Sequence, residues 1–282
     1  IPTKRIEVAE AGHPVPDRSG QRAAAKLCAM AGELSRRDLL IVLLSGGASS
    51  LLPAPVAGIT LADKQRTTTK LLRCGATIQE MNTVRKHLSR IKGGRLAEST
   101  QATVVTLILS DVLGDDLSAI ASGPTVPDPT TYHDAVEILK HYRIWTATPQ
   151  RVRQYLTRGC QGLEVETPKP GSSLFRRVRH HLVGNNAAAV AEVTRAAKEA
   201  GLGTLVPTAA VTGEASEAGR RFGAMAREMI CEGKPLQRPC CVVAGGETTV
   251  TVTGKGTGGR AQEFAAAAAL EITGLAKVWV VA

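Results

Sequence analysis

Aromatic side chains are scarce in this chain: three phenylalanines, three tyrosines and two tryptophans make up 3% of its 282 residues. That scarcity argues against a binder of single-stranded nucleic acid, which needs aromatic platforms on which bases stack. No apolar run approaches the roughly 18 residues that a membrane-spanning helix requires. The six cysteines contain no C-x-x-C pair, and adjacent Cys240 and Cys241 would point to opposite faces of a strand. Neither a zinc site nor a disulfide framework is expected, and reduced thiols fit a cytoplasmic protein. There is no G-x-x-x-x-G-K-S/T phosphate loop, and no G-x-S-x-G elbow to support a serine nucleophile. His13 and His87 have no partners at metal-ligand spacing and read as structural. Ile1-Pro-Thr-Lys-Arg-Ile6 lacks the form of a signal peptide and an initiator methionine, and Ala276–Ala282 is a strand-like run that stops. Truncation at both ends is the expectation.

What the chain has in excess is positive charge, a formal +10 at neutral pH. Such a balance calls for an anionic partner, and with so few aromatics a small polyanion fits better than nucleic acid. Arg176-Arg-Val-Arg-His-His181 leads into an apolar segment and reads as a solvated strand entry. Arg85, Lys86, His87, Arg90, Lys92 and Arg95 gather around Gly93-Gly94, where they can focus charge on a small anion.

Strand and helix patterns alternate throughout, which predicts α/β layers. A strand over Arg5–Ala9 precedes a helix near 19–35. Leu39-Leu-Ile-Val-Leu-Leu44 is a continuous apolar run and reads as a fully buried parallel strand. Thr60 and Asp63 have capping-box spacing for the next helix, which ends at Gly75. A helix over 78–88 and a buried strand over 103–109 follow, then helices near 133–142 and 149–157. Residues 180–183, 186–200 and 204–208 are expected to form a βαβ unit, with a further helix over 214–231. Cys240–Ala244 and Thr248–Thr253 would flank Gly245-Gly246-Glu247 as a hairpin, ahead of a helix over 261–273. The expected architecture is two α/β domains. The larger, residues 1–236, has a mostly parallel sheet covered by helices and a sub-boundary near 159–175. The smaller, residues 237–282, has a mixed sheet.

Three features carry chemistry. Ser45-Gly46-Gly47-Ala48-Ser49-Ser50 follows the apolar strand and has almost no side-chain bulk. Its backbone N–H groups can approach phosphate oxygens at the strand's carboxyl end, or the segment is simply a tight turn. Asp111 directly follows the 103–109 strand, where a carboxylate serves as a magnesium ligand, as a base toward a hydroxyl, or as a cap for loop N–H groups. Asp115 and Asp116 read as structural. Gly254, Gly256 and Gly259 match G-x-G-x-x-G in form, but the preceding threonine-rich stretch is no buried strand and the later acidic residue is missing. What remains there is a cationic loop bearing Lys255 and Arg260 at a helix N-terminus, or a glycine-rich turn. Glycine loops, a strand-end carboxylate and basic residues together describe phosphoryl transfer.

The motifs Ala11–Asp17, Leu44–Leu51, Asn82–Ala97, Leu109–Asp116, Ile120–Thr125, Gly245–Val250 and Gly258–Glu263 resemble the glycerate 2-kinase family over nearly the whole chain. The last two resemble its C-terminal module, known by the letters MOFRL. Many members of the family carry a hydroxypyruvate reductase label. The resemblance implies two α/β domains with the site in the cleft between them, and transfer of the ATP γ-phosphoryl to the 2-hydroxyl of D-glycerate with magnesium. It implies that Ser45, Gly46, Gly47, Ala48, Ser49 and Ser50, with Lys255, hold the nucleotide phosphates. Asp111 would face the metal or the substrate hydroxyl, Arg260 would stabilise the transferring phosphoryl, and Glu247 would lie on the substrate side. Arg85 and Lys86 are assigned to the glycerate carboxylate from their charge alone. A nicotinamide-dependent hydroxypyruvate reductase is the alternative. A small-molecule substrate, no nucleic acid and no membrane are the expected partners, with a homodimer left open.

The chain departs from the family pattern in three places. An upstream glycine-lysine motif and a C-terminal Asp/Gly-rich motif are not in it, and Ala261 stands where the family has asparagine. The last change removes an amide that would orient a ligand.

Overall fold

The computed structural model describes residues 5–13, 15–251, 253–254 and 256–282. Its contacts divide the chain into two units, Ile1–Ser110 with Asp115–Val183, and Asp111–Gly114 with Gly184–Ala282. The boundary expected near residue 236 lies inside the second of these units.

In the first unit, the carboxylate of Asp17 opens α1 (Arg18–Glu33) by accepting the N–H of Gly20 at 2.8 Å. It also accepts the N–H of Gly12 at 2.9 Å, so one side chain caps the helix and pins the loop before it. The Gly20 hydrogen bond above all holds the Asp17 carboxyl below its usual range. No strand forms over Arg5–Ala9; Glu7 is tied to α1 through Lys26. Next come β1 (Leu39–Leu44), the single turn α2 (Ala48–Leu51), α3 (Leu61–Arg73), α4 (Ile78–His87) and the single turn α5 (Arg95–Glu98). β2 (Thr103–Leu109) then lies parallel to β1, with Leu39 opposite Thr103 and Leu44 opposite Ile108.

The apolar strand is not buried on both faces. Leu40 and Val42 pack with Leu27 of α1 against Ala24, Ile91 and Leu96, whereas Leu43 on the other face is 74% exposed. An apolar run predicts two covered faces, and no described element covers the second.

Two further helices, α6 (Tyr132–His141) and α7 (Gln150–Cys160), join α3 and α4 around Leu71, Val84, Tyr132, Leu139, Val152 and Leu156. Capping boxes open three of these four helices: Thr60 with Asp63, Thr77 with Glu80, and Thr131 with Asp134. β3 (Val178–Gly184) completes the sheet on the far side of β2.

The second unit holds α8 (Asn186–Glu199), β4 (Gly203–Leu205), α9 (Ala215–Glu232), β5 (Cys240–Val242) and α10 (Arg260–Glu271). β4 pairs in parallel with β5. Helices α9 and α10 approach closely because Gly219 has no side chain: a Cβ there would lie 2.3 Å from the Phe264 carbonyl oxygen. Beside it, the rings of Phe222 and Phe264 are 5.5 Å apart.

Two expectations fail here. β3 and β4 belong to different sheets, so residues 180–208 do not form a βαβ unit. The hairpin does not close either. Thr249 bridges in parallel to Glu214, and both the N–H and the hydroxyl of Thr251 go to the Glu214 carboxylate. The threonine stretch therefore lies along the start of α9 instead of folding back on β5. Among the described residues the small sheet is parallel, not mixed. No helix among them is long and apolar enough to cross a membrane.

Candidate active site

At the carboxyl end of β1 the chain turns sharply through Gly47, whose φ of 81° is left-handed. A side chain would be strained there, and a Cβ would also meet the His13 ring at 3.3 Å. The Gly47 carbonyl accepts the N–H groups of Ser50 and Leu51 at 3.1 and 3.3 Å, and the Ser50 hydroxyl at 2.9 Å. The N–H groups of Gly46, Gly47, Ala48 and Ser49 have no acceptor among the described residues. The loop therefore presents unsatisfied backbone donors at a parallel strand end, the arrangement that receives an anion.

A second loop is held against it. Ala121, Ser122 and Gly123 all have left-handed φ, at 53°, 60° and 60°. Such a conformation costs about 1–3 kcal/mol at each non-glycine residue and persists only where neighbours enforce it. The enforcement comes from three consecutive residues after α4. The Lys92 ammonium donates to the Ala121 carbonyl at 3.2 Å, Gly93 N–H to Ser122 at 3.0 Å, and Gly94 N–H to Gly123 at 2.8 Å. Lys92 also donates to the Ser49 hydroxyl at 2.8 Å, Ser49 and Ser122 hydroxyls are 3.2 Å apart, and Ser122 donates to the Asn82 amide oxygen at 3.0 Å. Three separated motifs, Leu44–Leu51, Asn82–Ala97 and Ile120–Thr125, thus share one polar network.

Positive charge is concentrated beside this network. Lys92 is buried, Lys64 on α3 is only 8% exposed, and Arg85 near the end of α4 is half-buried. None of the three is in an ion pair among the described residues, and the Lys64 amine has no hydrogen-bond partner there. Burial, reinforced by the Arg85 charge, pushes the Lys64 ammonium down to about 7. Burial first, then the charges of Lys64 and Arg85, drives Lys92 well below the usual lysine range. Burial also lowers Arg85.

Lys86 is placed differently from Arg85. Its ammonium lies 3.4 Å from Asp128 in a buried ion pair, and Asp128 also accepts the hydroxyls of Thr130 and Thr167 at 2.7 and 3.0 Å. Of the two residues assigned to a substrate carboxylate, Arg85 alone has no carboxylate partner among the described residues. Neighbouring His87 lies between the Thr83 carbonyl and Glu166, 2.8 Å from each. Burial works to raise the Glu166 carboxyl, but hydrogen bonds from His87 and from the Thr167 and Tyr132 backbones bring it down to about 2.

Asp111 is exposed just beyond β2. Among the described residues, no three His, Cys, Asp or Glu side chains gather to hold a metal. Magnesium bound with nucleotide needs only one or two protein carboxylates, its other ligands being phosphates and water. The described residues are compatible with an ion brought in by a nucleotide.

In the second unit, Arg260 opens α10 and pairs with Glu247 at 2.8 Å, both side chains about half exposed. The Glu247 N–H is fixed to the Val211 carbonyl at 2.9 Å, and a Cβ on Gly245 would fall 2.2 Å from the Asn186 amide oxygen. Lys255 lies outside the described residues. The nominal dinucleotide fingerprint lacks its context, since the described residues before Gly254 make isolated bridges and no strand.

Sequence reasoning missed Lys64, Asn82 and Ser122 as site residues, and saw Lys92 only within a basic cluster. A signal for Lys64 was present. Lys64, Thr67 and Leu71 share the buried stripe of α3, so the lysine sits where an apolar residue is expected.

Residues 1–157 match the family model described as a domain of unknown function, DUF4147, and residues 240–282 match that of the MOFRL family. A glycerate 2-kinase of Pyrococcus horikoshii is 43% identical over 96% of this chain and 61% of its own length. A protein of Agrobacterium vitis bearing a provisional hydroxypyruvate reductase name is 42% identical over 99% of this chain and 71% of its own length. The crystal structure of a glycerate kinase from Thermotoga maritima superimposes with a TM-score of 0.81 at 42% identity, covering 97% of this chain and 63% of that one. The chain thus spans less than two thirds of the glycerate kinases it matches.

Proposed function

Since the chain belongs to the DUF4147 family and carries a MOFRL segment, we propose that it transfers the γ-phosphoryl group of ATP to the 2-hydroxyl of D-glycerate, giving 2-phosphoglycerate. The observation that carries this reading is the junction of Ser49, Lys92 and Ser122 beside the unsatisfied N–H groups of Gly46 to Ser49. Phosphoryl transfer asks for positioning and charge neutralisation more than for a covalent nucleophile, and the site supplies both.

In this reading the Ser45–Ser50 loop, with Lys255, holds the nucleotide phosphates, and Arg85 faces the glycerate carboxylate. Asp111 accepts the proton of the 2-hydroxyl or holds the magnesium ion, which when bound neutralises phosphate charge. The hydroxyl oxygen forms a bond to the γ-phosphorus while the bond from that phosphorus to the bridging oxygen breaks, and ADP leaves with the electron pair. We assign Arg260 to stabilising the moving phosphoryl group, its guanidinium being about half exposed and paired with Glu247. The names of the glycerate kinase relatives support the same acceptor.

The test is ADP release in the presence of ATP, magnesium and D-glycerate. Release that depends on D-glycerate supports the reading, and release equal with and without it refutes it. Oxidation of NADH with hydroxypyruvate, in place of ADP release, would establish the reductase instead.

A further inference from the structure

The buried amine of Lys64 has no hydrogen-bond partner among the described residues, yet it lies beside two more cations. We infer that Lys64, Arg85 and Lys92 enclose a site for one compact oxyanion, filled in the reaction by the carboxylate of the acceptor. The carboxylate assignment rests on the phosphoryl-transfer reading above.

Three segments of the first unit bring these groups together: Lys64 comes from α3, Arg85 from α4 and Lys92 from the segment that follows. Like charges packed without a counter-ion oppose folding, and an entering anion removes that penalty. Among the described residues no carboxylate forms an ion pair with Lys64, Arg85 or Lys92. Asp63, next to Lys64, is turned into the Thr60 cap and feels Arg66 of its own helix and Arg151 of α7. Asp128 is occupied by Lys86, Thr130 and Thr167, and the hydrogen-bond partners of Lys92 are neutral.

Size selects the ligand. Lys64 and Lys92 are nearly inaccessible, so the enclosure suits a single small group and not an extended polyphosphate. The polyphosphate has its own donors in the N–H groups of Gly46 to Ser49. The guanidinium of Arg85 matches the two oxygens of a carboxylate, and the two amines add point charges. An incoming carboxylate also offsets the burial and the Arg85 charge that hold Lys64 partly neutral, so binding takes up a proton near neutral pH.

Calorimetric titration of the chain with D-glycerate at pH 7.5, in two buffers of different ionisation enthalpy, measures affinity and proton uptake together. Inorganic phosphate serves as the second probe, and Lys64→Met and Lys64→Arg as variants. Lys64→Met removes a buried orphan charge, so the variant is expected to fold. D-glycerate should bind with uptake of part of a proton. Lys64→Met should weaken it by about 10- to 150-fold and reduce the uptake, while Lys64→Arg should retain binding with reduced uptake. Absence of D-glycerate binding, binding unchanged in Lys64→Met, no proton uptake, or tighter Lys64-dependent binding of phosphate would each overturn the inference. None of these readouts uses turnover. A chain that binds D-glycerate through Lys64 but forms no phosphorylated product would refute the kinase reading and leave the oxyanion site standing.

Discussion

The Lys92 ammonium donates 2.8 Å to the hydroxyl of Ser49, and through that bond a buried cation fixes the tip of the glycine loop. The same ammonium holds the strained Ala121 carbonyl, so one side chain sets the spacing of two loops. Replacing it with methionine should leave both loops unanchored. Turnover of Lys92→Met is expected to fall by about 100-fold or more, the scale for removing one preorganised donor, with a smaller loss in Ser49→Ala. Steady-state kinetics on the two variants checks the order.

Lys64 makes stability depend on pH. Unfolded, its amine binds a proton below about 10.5; folded, only below about 7. Between those values the unfolded chain holds more protons, so stability should climb as pH rises from 7 to 10.5, by up to about 5 kcal/mol. Below 7 the penalty is fully present. Urea denaturation across this range should show the slope, and Lys64→Met should reduce it. An unchanged slope would mean that the amine finds a partner in solution.

Arg260 is about half exposed, and its ion pair with Glu247 lies on the surface. Surface pairs contribute little to stability, so Arg260→Ala should keep its melting temperature. Its turnover is expected to drop by about a thousandfold, as for other arginines that stabilise a moving phosphoryl. Arg260→Lys should recover little, because a point charge does not replace a planar fork. Near-normal turnover in Arg260→Ala would remove the residue from the mechanism.

The Lys86–Asp128 pair predicts the opposite pattern. Both groups are buried, and removing one leaves an uncompensated charge that costs about 3–5 kcal/mol. Lys86→Met should therefore unfold at markedly lower denaturant, while Lys86→Met with Asp128→Asn should recover much of the loss. A rise in the KM for D-glycerate without loss of stability would instead support the assignment of Lys86 to the substrate.

Much of the architecture was legible in local signals. Thr60 and Asp63 announced α3 three residues apart, and the apolar run from Leu39 stated β1 outright. What failed was pairing, which is decided at long range. The threonine stretch after Glu247 has strand propensity, but the Glu214 carboxylate takes the backbone of Thr251, and no hairpin forms. His180–Val183 has the form of a strand, yet its partner is β2 and not β4.

The site divided in the same way. The bulk-free loop was visible as composition, because a side chain would be strained in the Gly47 turn beside His13. The Arg85 and Lys86 side chains looked alike in sequence, since nothing local says that one of two adjacent cations will meet an aspartate 42 positions on. Lys64 was hidden for a related reason: its partners by charge come from α4 and beyond, and only its place on a buried stripe gave it away.

Phosphorus NMR of the protein with ATP, magnesium and D-glycerate tests the central claim most directly. The account predicts a phosphomonoester resonance coupled to the C2 proton of glycerate, growing as ADP appears. A product phosphorylated at C3, or ADP formed with no new phosphomonoester, would contradict it.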